Sequence, residues 1–262
     1  MITLIRRFVR FSAPNFTGYG LVEESNGKIQ AIEGSPFGEY LMLDRWYEQS
    51  HIRILPPCQP SKIVAVGLNY RDHARELKLP EPDEPLLFLK PPSALIGHEE
   101  AIVYPSMSHQ VEYEGELAIV IGRRAQQIKP EDAASYIAGY SCANDVTARD
   151  LQKKDGQWTR AKSFDTFASF GPCLAIGLCA DNLGIKTYLN GQLRQSSHTA
   201  QLIFPPAFLV SFISRIMTLL PEDVIFTGTP SGVGALQPGD VVEVEIEGIG
   251  RLKNPVIAAK YQ

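Results

Sequence analysis

YEGELAIVIG, residues 113–122, is the stretch on which both fold and chemistry turn. Glu114 and Glu116 stand two apart, and on a strand such side chains point to the same face because successive residues alternate sides. Downstream, CANDVTARD (residues 142–150) carries Asp145. If Asp145 comes from a neighbouring strand end, three hard oxygen ligands converge on one point, a donor set that suits magnesium or manganese and suits zinc poorly. The other reading of the glutamate pair is the wet face of a half-exposed strand, since alternating Glu on an antiparallel strand is common.

Working outward, the chain has strand character on both sides of this stretch. The start, MITLIRRFVRF, alternates and runs into GYGLVEESNGKIQAIEG, so it is a first strand followed by two more short ones rather than a transit peptide. Pro56, Pro57 and Pro60 then mark a linker, and KIVAVGLNY opens a new strand-rich region. Short helices are expected at DHARELK, at PEDAASYIAG with Pro130 near the start, and at PPAFLVSFISRIM. In the last of these Phe208, Leu209, Phe212, Ile216 and Leu219 recur at helical spacing, with Arg215 on the opposite face. PGDVVEVEIEGIGRLKN is a hairpin signal. The regular strand-helix alternation of a doubly wound parallel sheet is missing, so the fold class is a β-rich α+β domain.

Composition narrows the possible partners. With 262 residues and 44% hydrophobic content the chain can bury a large core. Its net charge of −4 comes from interspersed acids and bases with no basic stripe, which argues against nucleic acid. Its most apolar long stretch is broken by Ser211, Ser214 and Arg215 and is too mixed to span a bilayer. Cys58, Cys142, Cys173 and Cys179 show no C-x-x-C spacing, and the natural reading is a reduced, cytoplasmic protein without disulfides.

Three further clusters carry chemistry. In GLNYRDHARE, His73 and Glu76 are three apart, so on a helix they share a face and form a general-base dyad in outline. A solvated helical His beside a Glu is the plainer alternative. The Pro- and charge-rich LKLPEPDEPLLFLKPPSALIG that follows suits a mobile lid, with residues 72 to about 90 closing over a ligand. NDVTARDLQKKDGQWTRAKSFDTF concentrates Arg149, Asp150, Gln152, Lys162 and Asp165. A dication held by three carboxylates leaves a formal charge near minus one, so an anionic substrate needs Lys162 and Arg149 in reach. IFTGTPSGVGALQPGD sets Thr227, Gly228, Thr229, Gly232 and Gly234 in a turn that lacks the ending of a phosphate loop but can hold a carboxylate.

In their order, GLNYRDHARE, FLKPPSALIG, YEGELAIVIG, AGYSCANDVTARDLQ, WTRAKSFDTFASFGP and FTGTPSGVG resemble the fumarylacetoacetate hydrolase superfamily, from about Lys62 to about Asn254. The resemblance is to its smaller branch of acylpyruvases, oxaloacetate decarboxylases and tautomerases, fumarylpyruvate hydrolases and the homoprotocatechuate-pathway decarboxylase/isomerase. It implies metal ligands at Glu114, Glu116 and Asp145, with Mg2+ the usual ion and Mn2+ a substitute. It also implies a lid dyad at His73 and Glu76, the lysine beside the metal at Lys162, and substrate contacts at Gln152 and Thr229. Arg149 matches the family arginine near the ion, to meet substrate or to brace the site. The implied fold is a mixed β-sandwich roll, a homodimer, with a small N-terminal domain over residues 1–57 and a catalytic domain over 58–262. The segment from Asp145 to Lys162 is a few residues shorter than in the acylpyruvases, which bears on pocket depth.

A hard cation with open positions can chelate the carboxylate and keto oxygens of a 2-oxo acid and act as a Lewis acid on the carbonyl. Breaking the C3–C4 bond leaves a pyruvate enolate. An acyl group at C4 calls for water activated by His73 and Glu76, a carboxylate there leaves as CO2, and movement of a proton alone gives tautomerisation or isomerisation. The acylpyruvase and oxaloacetate group ranks first. The alternatives are a 2-hydroxyhepta-2,4-diene-1,7-dioate isomerase/decarboxylase of aromatic catabolism, a non-catalytic regulatory homodimer, and a β-rich binding module.

Overall fold

The computed structural model describes residues 4–259. The N-terminal segment is a meander of β1 (Arg6–Ala13), β2 (Phe16–Val22), β3 (Ile29–Gly34) and β4 (Tyr40–Tyr47), with β5 (Arg53–Leu55) pairing back on β1. The expected first strand thus begins at Arg6, and Met1 to Thr3 lie outside the described residues. Beyond the prolines come β6 (Ile63–Gly67), helix α1 (Arg71–Leu77), β7 (Leu86–Lys90), β8 (Leu95–Ile96) and β9 (Ile102–Tyr104). The middle holds β10 (Val111–Tyr113), β11 (Gly115–Ile121), β12 (Ile137–Asp145), β13 (Thr147–Ala148), α2 (Arg149–Asp155), α3 (Thr159–Lys162) and β14 (Ala168–Ile176). The last third holds β15 (Gly184–Leu189), β16 (Gln192–His198), α4 (Pro206–Ile216), β17 (Val224–Phe226), β18 (Gly234–Ala235), β19 (Val241–Ile246) and β20 (Gly250–Ala258).

Twelve strands form one mixed sheet in the order β4-β3-β2-β1-β14-β12-β11-β17-β6-β7, with β5 and β8 alongside β1 and β14. Five more form β16-β15-β19-β20-β9, and three form β13-β10-β18. This is the β-rich sandwich roll expected from the sequence. The N-terminal strands continue the large sheet, because β1 pairs antiparallel with β14 from Arg6↔Ile176 to Phe8↔Leu174.

The apolar run after Glu116 explains itself in this setting. β11 lies between β12 and β17 with both faces covered, and a strand buried on two faces needs no polar alternation. Leu117 packs with Ile185, Val244 and Leu252 of the five-stranded sheet, while Ile119 and Ile121 pack against Leu209, Val210 and Ile213 of α4. Ala118 and Val120 face the other way, into a core with Ile63, Ala143 and Phe170. The reading of Glu114 and Glu116 as a wet strand face is therefore overturned: both are buried.

Two helical expectations need correction. PEDAASYIAG forms a 3-10 helix only over Pro130–Tyr136, and Ile137 onward enters β12. The Tyr136 carbonyl accepts from the Gly122 amide, which ties the turn to the end of β11 before an α-helix can propagate. In α4 the inward face carries Ser211 and Ser214 beside Leu209, Val210 and Ile213, whereas Ile216 is exposed and Phe208 and Phe212 are half-buried and stacked. The serines are inside because they satisfy a backbone segment: Ser211 Oγ donates to Ile128 O and Ser214 Oγ accepts from the Ile128 amide. The helix at DHARELK and the hairpin of β19 and β20 form as expected. All four cysteines are free thiols, and among the described residues no helix is long and apolar enough to cross a membrane.

Candidate active site

The glutamates sit where the chain changes sheets. β10 belongs to the three-stranded sheet and β11 to the large one, and Glu114 is the residue between them. β12 and β13 make the same crossing just after Asp145. The two crossings are stitched together, since the Asp145 amide donates to Glu114 O at 2.9 Å and the Glu114 amide donates to Asn144 Oδ1 at 2.9 Å. Gly115 between the glutamates is forced by close approach, because a Cβ there would collide with the Thr187 hydroxyl. Glu114, Glu116 and Asp145 each offer an oxygen within 4.8 Å of the others, and all three are buried.

This donor set fits a hard divalent cation. It is all carboxylate, with no sulfur or imidazole among the three. The charge balance points the same way. Lys162 Nζ donates to Glu114 Oε2 at 2.8 Å and Asp145 Oδ2 at 2.7 Å, and Arg149 donates to Glu112 Oε2 at 2.7 Å and to Glu114. Lys90, buried completely, donates to Asp145 Oδ1 at 2.5 Å. Among the described residues Glu116 receives only the Gly228 amide, at 2.7 Å. Four carboxylates thus face three cations, and a dication would turn the local charge from minus one to plus one, which favours an anionic ligand. Burial, then the neighbouring Asp145 and Glu114, push the Glu116 carboxyl well above its ordinary range. Burial would also raise Glu114, but Lys162 and Arg149 outweigh it and hold that carboxyl far below the usual value. Lys90 is pulled down by burial more than Asp145 restores it, whereas in Lys162 the attraction of Asp145 and Glu114 outweighs the burial cost.

A cavity of about 210 Å³ opens over the triad and is lined by His73, Arg149, Gln152, Lys162 and Thr229 among others. Its size lies below the roughly 300–1,000 Å³ of pockets for drug-sized ligands, which indicates a small one. His73 Nδ1 is 2.9 Å from Glu76 Oε2. A carboxylate accepting here takes the hydrogen from Nδ1, so in the neutral ring Nε2 is the nitrogen left with a lone pair. Glu76 also accepts from the Gly232 amide at 3.1 Å, which fastens α1 to the glycine-rich turn. From the other end of the helix Arg71 donates to Leu202 O at 2.8 Å, and Asp72 accepts from Ser197 Oγ.

The third cluster divides. Arg149, Gln152 and Lys162 line the cavity, with Arg149 donating to Gln152 Oε1 at 2.6 Å and bracing Glu114. Asp150 turns away to Ser108 Oγ at 2.6 Å and the His109 amide at 3.1 Å. In the glycine-rich turn the carboxylate held by a backbone amide is the protein's own Glu116, and the Thr229 hydroxyl donates to Gly115 O at 2.9 Å. Sequence reasoning missed Lys90 and Gln195. Lys90 stands alone between the apolar LLFL and a proline pair, a position where a solvated lysine is out of place. Gln195, fully buried, accepts from the Gly115 amide at 3.0 Å and donates to Thr229 Oγ1 at 2.8 Å, yet nothing in RQSSHT marks it.

Comparison with known proteins agrees with this picture. The family described as fumarylacetoacetate (FAA) hydrolase C-terminal matches residues 62–257, and the Rv2993c-like N-terminal family matches residues 6–57. An uncharacterized protein of Archaeoglobus fulgidus is 54% identical over 239 residues, covering 91% of this chain and 96% of its own. The mitochondrial oxaloacetate tautomerase fahd2 of Xenopus laevis is 44% identical over 222 residues, covering 80% of this chain and 70% of its own. The crystal structure of 2-hydroxyhepta-2,4-diene-1,7-dioate isomerase from Mycobacterium marinum superposes with a TM-score of 0.91 at 39% identity, over 98% of this chain and 100% of that one.

Proposed function

This chain belongs to the fumarylacetoacetate hydrolase family, and from that premise we propose that it is a Mg2+-dependent enzyme, with Mn2+ as substitute, acting on short 2-oxo acids of the oxaloacetate and acylpyruvate class through an enolate. The observation that carries this is the buried triad of Glu114, Glu116 and Asp145, bridged by Lys162 at the floor of a small cavity. The three carboxylates would hold the ion, which when bound supplies Lewis acidity toward a keto carbonyl.

The remaining work falls to the chain's own side chains. Lys162, itself buried, holds an ammonium beside the place where enolate charge develops, and a charge held out of water acts strongly there. His73 Nε2, with Glu76 fixing the ring, takes a proton from water in hydrolysis. Decarboxylation needs no nucleophile and uses Lys162 alone of these. Gln152 and Thr229 line the cavity as polar contacts for substrate, and Arg149 keeps Glu114 in position.

Loss of oxaloacetate ultraviolet absorbance, abolished by EDTA and restored by Mg2+, tests the proposal. Glu116→Ala and Asp145→Ala should each lose Mg2+ binding in calorimetry along with turnover, and unchanged affinity in either variant sinks the ligand assignment. A second reading, isomerisation or decarboxylation of a 2-hydroxydiene-dioate, is favoured by the full-length likeness to the M. marinum isomerase. A panel of oxaloacetate, acetylpyruvate, fumarylpyruvate and a 2-hydroxydiene-dioate separates the two. A non-catalytic role is disfavoured because triad, dyad and lysine are all assembled around one cavity. We further propose a cytoplasmic homodimer. The free thiols support the location, and the exposed apolar Leu86, Leu89 and Ile216 support a second subunit; light scattering at the mass of one chain would exclude the dimer.

A further inference from the structure

Away from the triad the cavity changes character. Lys162 Nζ lies 5.0 Å from the centre of the Phe88 ring, and Phe88 meets Trp158 edge-to-face at 5.1 Å. Trp158 in turn lies so close to Gly67 that a Cβ there would stand 2.8 Å from the indole. Leu77 and Leu79, exposed by 49% and 52%, line the same cavity from the end of α1. The cations that line it are both engaged, Arg149 with Glu112 and Glu114, and Lys162 with Glu114 and Asp145. Beyond Lys162, therefore, Leu77, Leu79, Phe88 and Trp158 make a wall of aromatic and aliphatic carbon, with His73 and Gln152 as the neighbouring polar groups and, among the described residues, no Lys or Arg in the lining besides the two engaged ones.

We propose that Trp158, seated in the space left by Gly67, forms with Phe88, Leu77 and Leu79 a tail subsite that selects 2-oxo acids carrying an apolar distal substituent and disfavours those ending in a distant second carboxylate. The inference rests on the reading that the 2-oxo acid end binds at the triad. A carboxylate brought against this wall loses water without gaining a cation. A methylene brought there gains about threefold to fourfold in affinity.

Head and tail are measured from one turn of chain. The Trp158 carbonyl accepts from the Lys162 amide at 3.0 Å, so the indole and the ammonium rise from one turn of backbone. Both come from the segment that runs from Asp145 to Lys162. Gly67 at the end of β6 fixes the position of the indole from the opposite side. An alanine there fits the strand backbone but would push the ring into the cavity.

The test uses the Mg2+-loaded protein and calorimetry. Oxalate probes the head alone, straight-chain 2-oxo acids of four to six carbons probe the tail, and 2-oxoglutarate and 2-oxoadipate carry the second carboxylate. Affinity should climb about threefold per methylene in the straight-chain series, and the dicarboxylates should bind about tenfold more weakly than monoacids of equal length. Trp158→Ala should flatten the climb, and Gly67→Ala should lose the six-carbon acid first, while oxalate stays within about twofold of wild type in both. Trp46 and Trp158 are the two tryptophans of the chain. In Trp46→Phe the fluorescence of Trp158 should therefore shift saturably with the six-carbon acid and stay constant with oxalate. Oxalate binding with no climb, or a climb unchanged in Trp158→Ala, overturns the tail subsite alone. Failure of wild type to bind oxalate overturns the triad reading and the subsite with it.

Discussion

Lys90→Met removes a cation that is fully enclosed and leaves its partner in place. The lysine donates to Asp145 Oδ1 at 2.5 Å and to Val146 O at 3.3 Å. Removing one member of a buried ion pair costs roughly 3–5 kcal/mol, because the other charge stays buried without its partner. Two features place this case at the lower end. Asp145 keeps Lys162 at 2.7 Å on its other oxygen, and the variant no longer has to bury an ammonium whose burial already pulls its proton affinity down. The expected loss is about 3 kcal/mol in the metal-free protein, which for a chain of this length lowers Tm by roughly 6–12 °C. Saturating Mn2+ should recover part of it, since a dication at the triad supplies Asp145 with the positive charge it lost. Thermal unfolding of wild type and Lys90→Met, each in EDTA and in Mn2+, reads both effects. A variant that melts within about 1 °C of wild type in EDTA, with an equal upshift in Mn2+, would refute the idea that Lys90 balances the triad.

Other outcomes follow from the same geometry. Because Glu116 has its carboxyl raised above its ordinary 4.5, the stability it contributes is complete below that value and lost as pH rises through the folded-state value. Urea midpoints in EDTA should therefore fall with rising pH in wild type relative to Glu116→Gln, and a difference that stays constant from about pH 5 to 8 would remove the argument. His73→Ala should reduce acylpyruvate hydrolysis by about 10²–10⁴ and tautomerisation much less, since hydrolysis alone needs an activated water. Equal losses in both would assign the dyad to holding α1 against Gly232. Hydrogen exchange over residues 72–90 should slow on adding oxalate with Mg2+ if this stretch closes over the cavity, and identical exchange would count against a lid.

Much of the candidate site was legible before any fold was known, because hard-cation chemistry uses residue types that have few other reasons to cluster. Two carboxylates at strand spacing, an Asp downstream, H-x-x-E and a lysine in RAKSFD already mark a candidate hard-cation site with a candidate base and counter-charge. Their order in the chain adds the family. The same locality explains the corrections. The helical period in PPAFLVSFISRIM is real, but which face turns inward was decided by the backbone of Ile128, which required two serines that no periodicity would place inside. Likewise PEDAASYIAG has helix-start signals, and its early conversion to strand comes from pairing with β11.

What the sequence determined by itself was therefore which carboxylates are candidate ligands and the strands that carry them, since alternation along a strand and i, i+3 spacing on a helix are local rules. Only the tertiary structure decided that the glutamates are dry, that Arg149 braces Glu114, that Lys90 stands behind Asp145, and that Trp158 leans on Gly67 at the cavity wall. Each of these joins residues far apart in the chain, and their energies depend on burial and on distances between sheets. YEGELAIVIG names the carboxylate ledge, and the crossing of the chain from one sheet to another at Glu114 and Asp145 is what folds it into a candidate site.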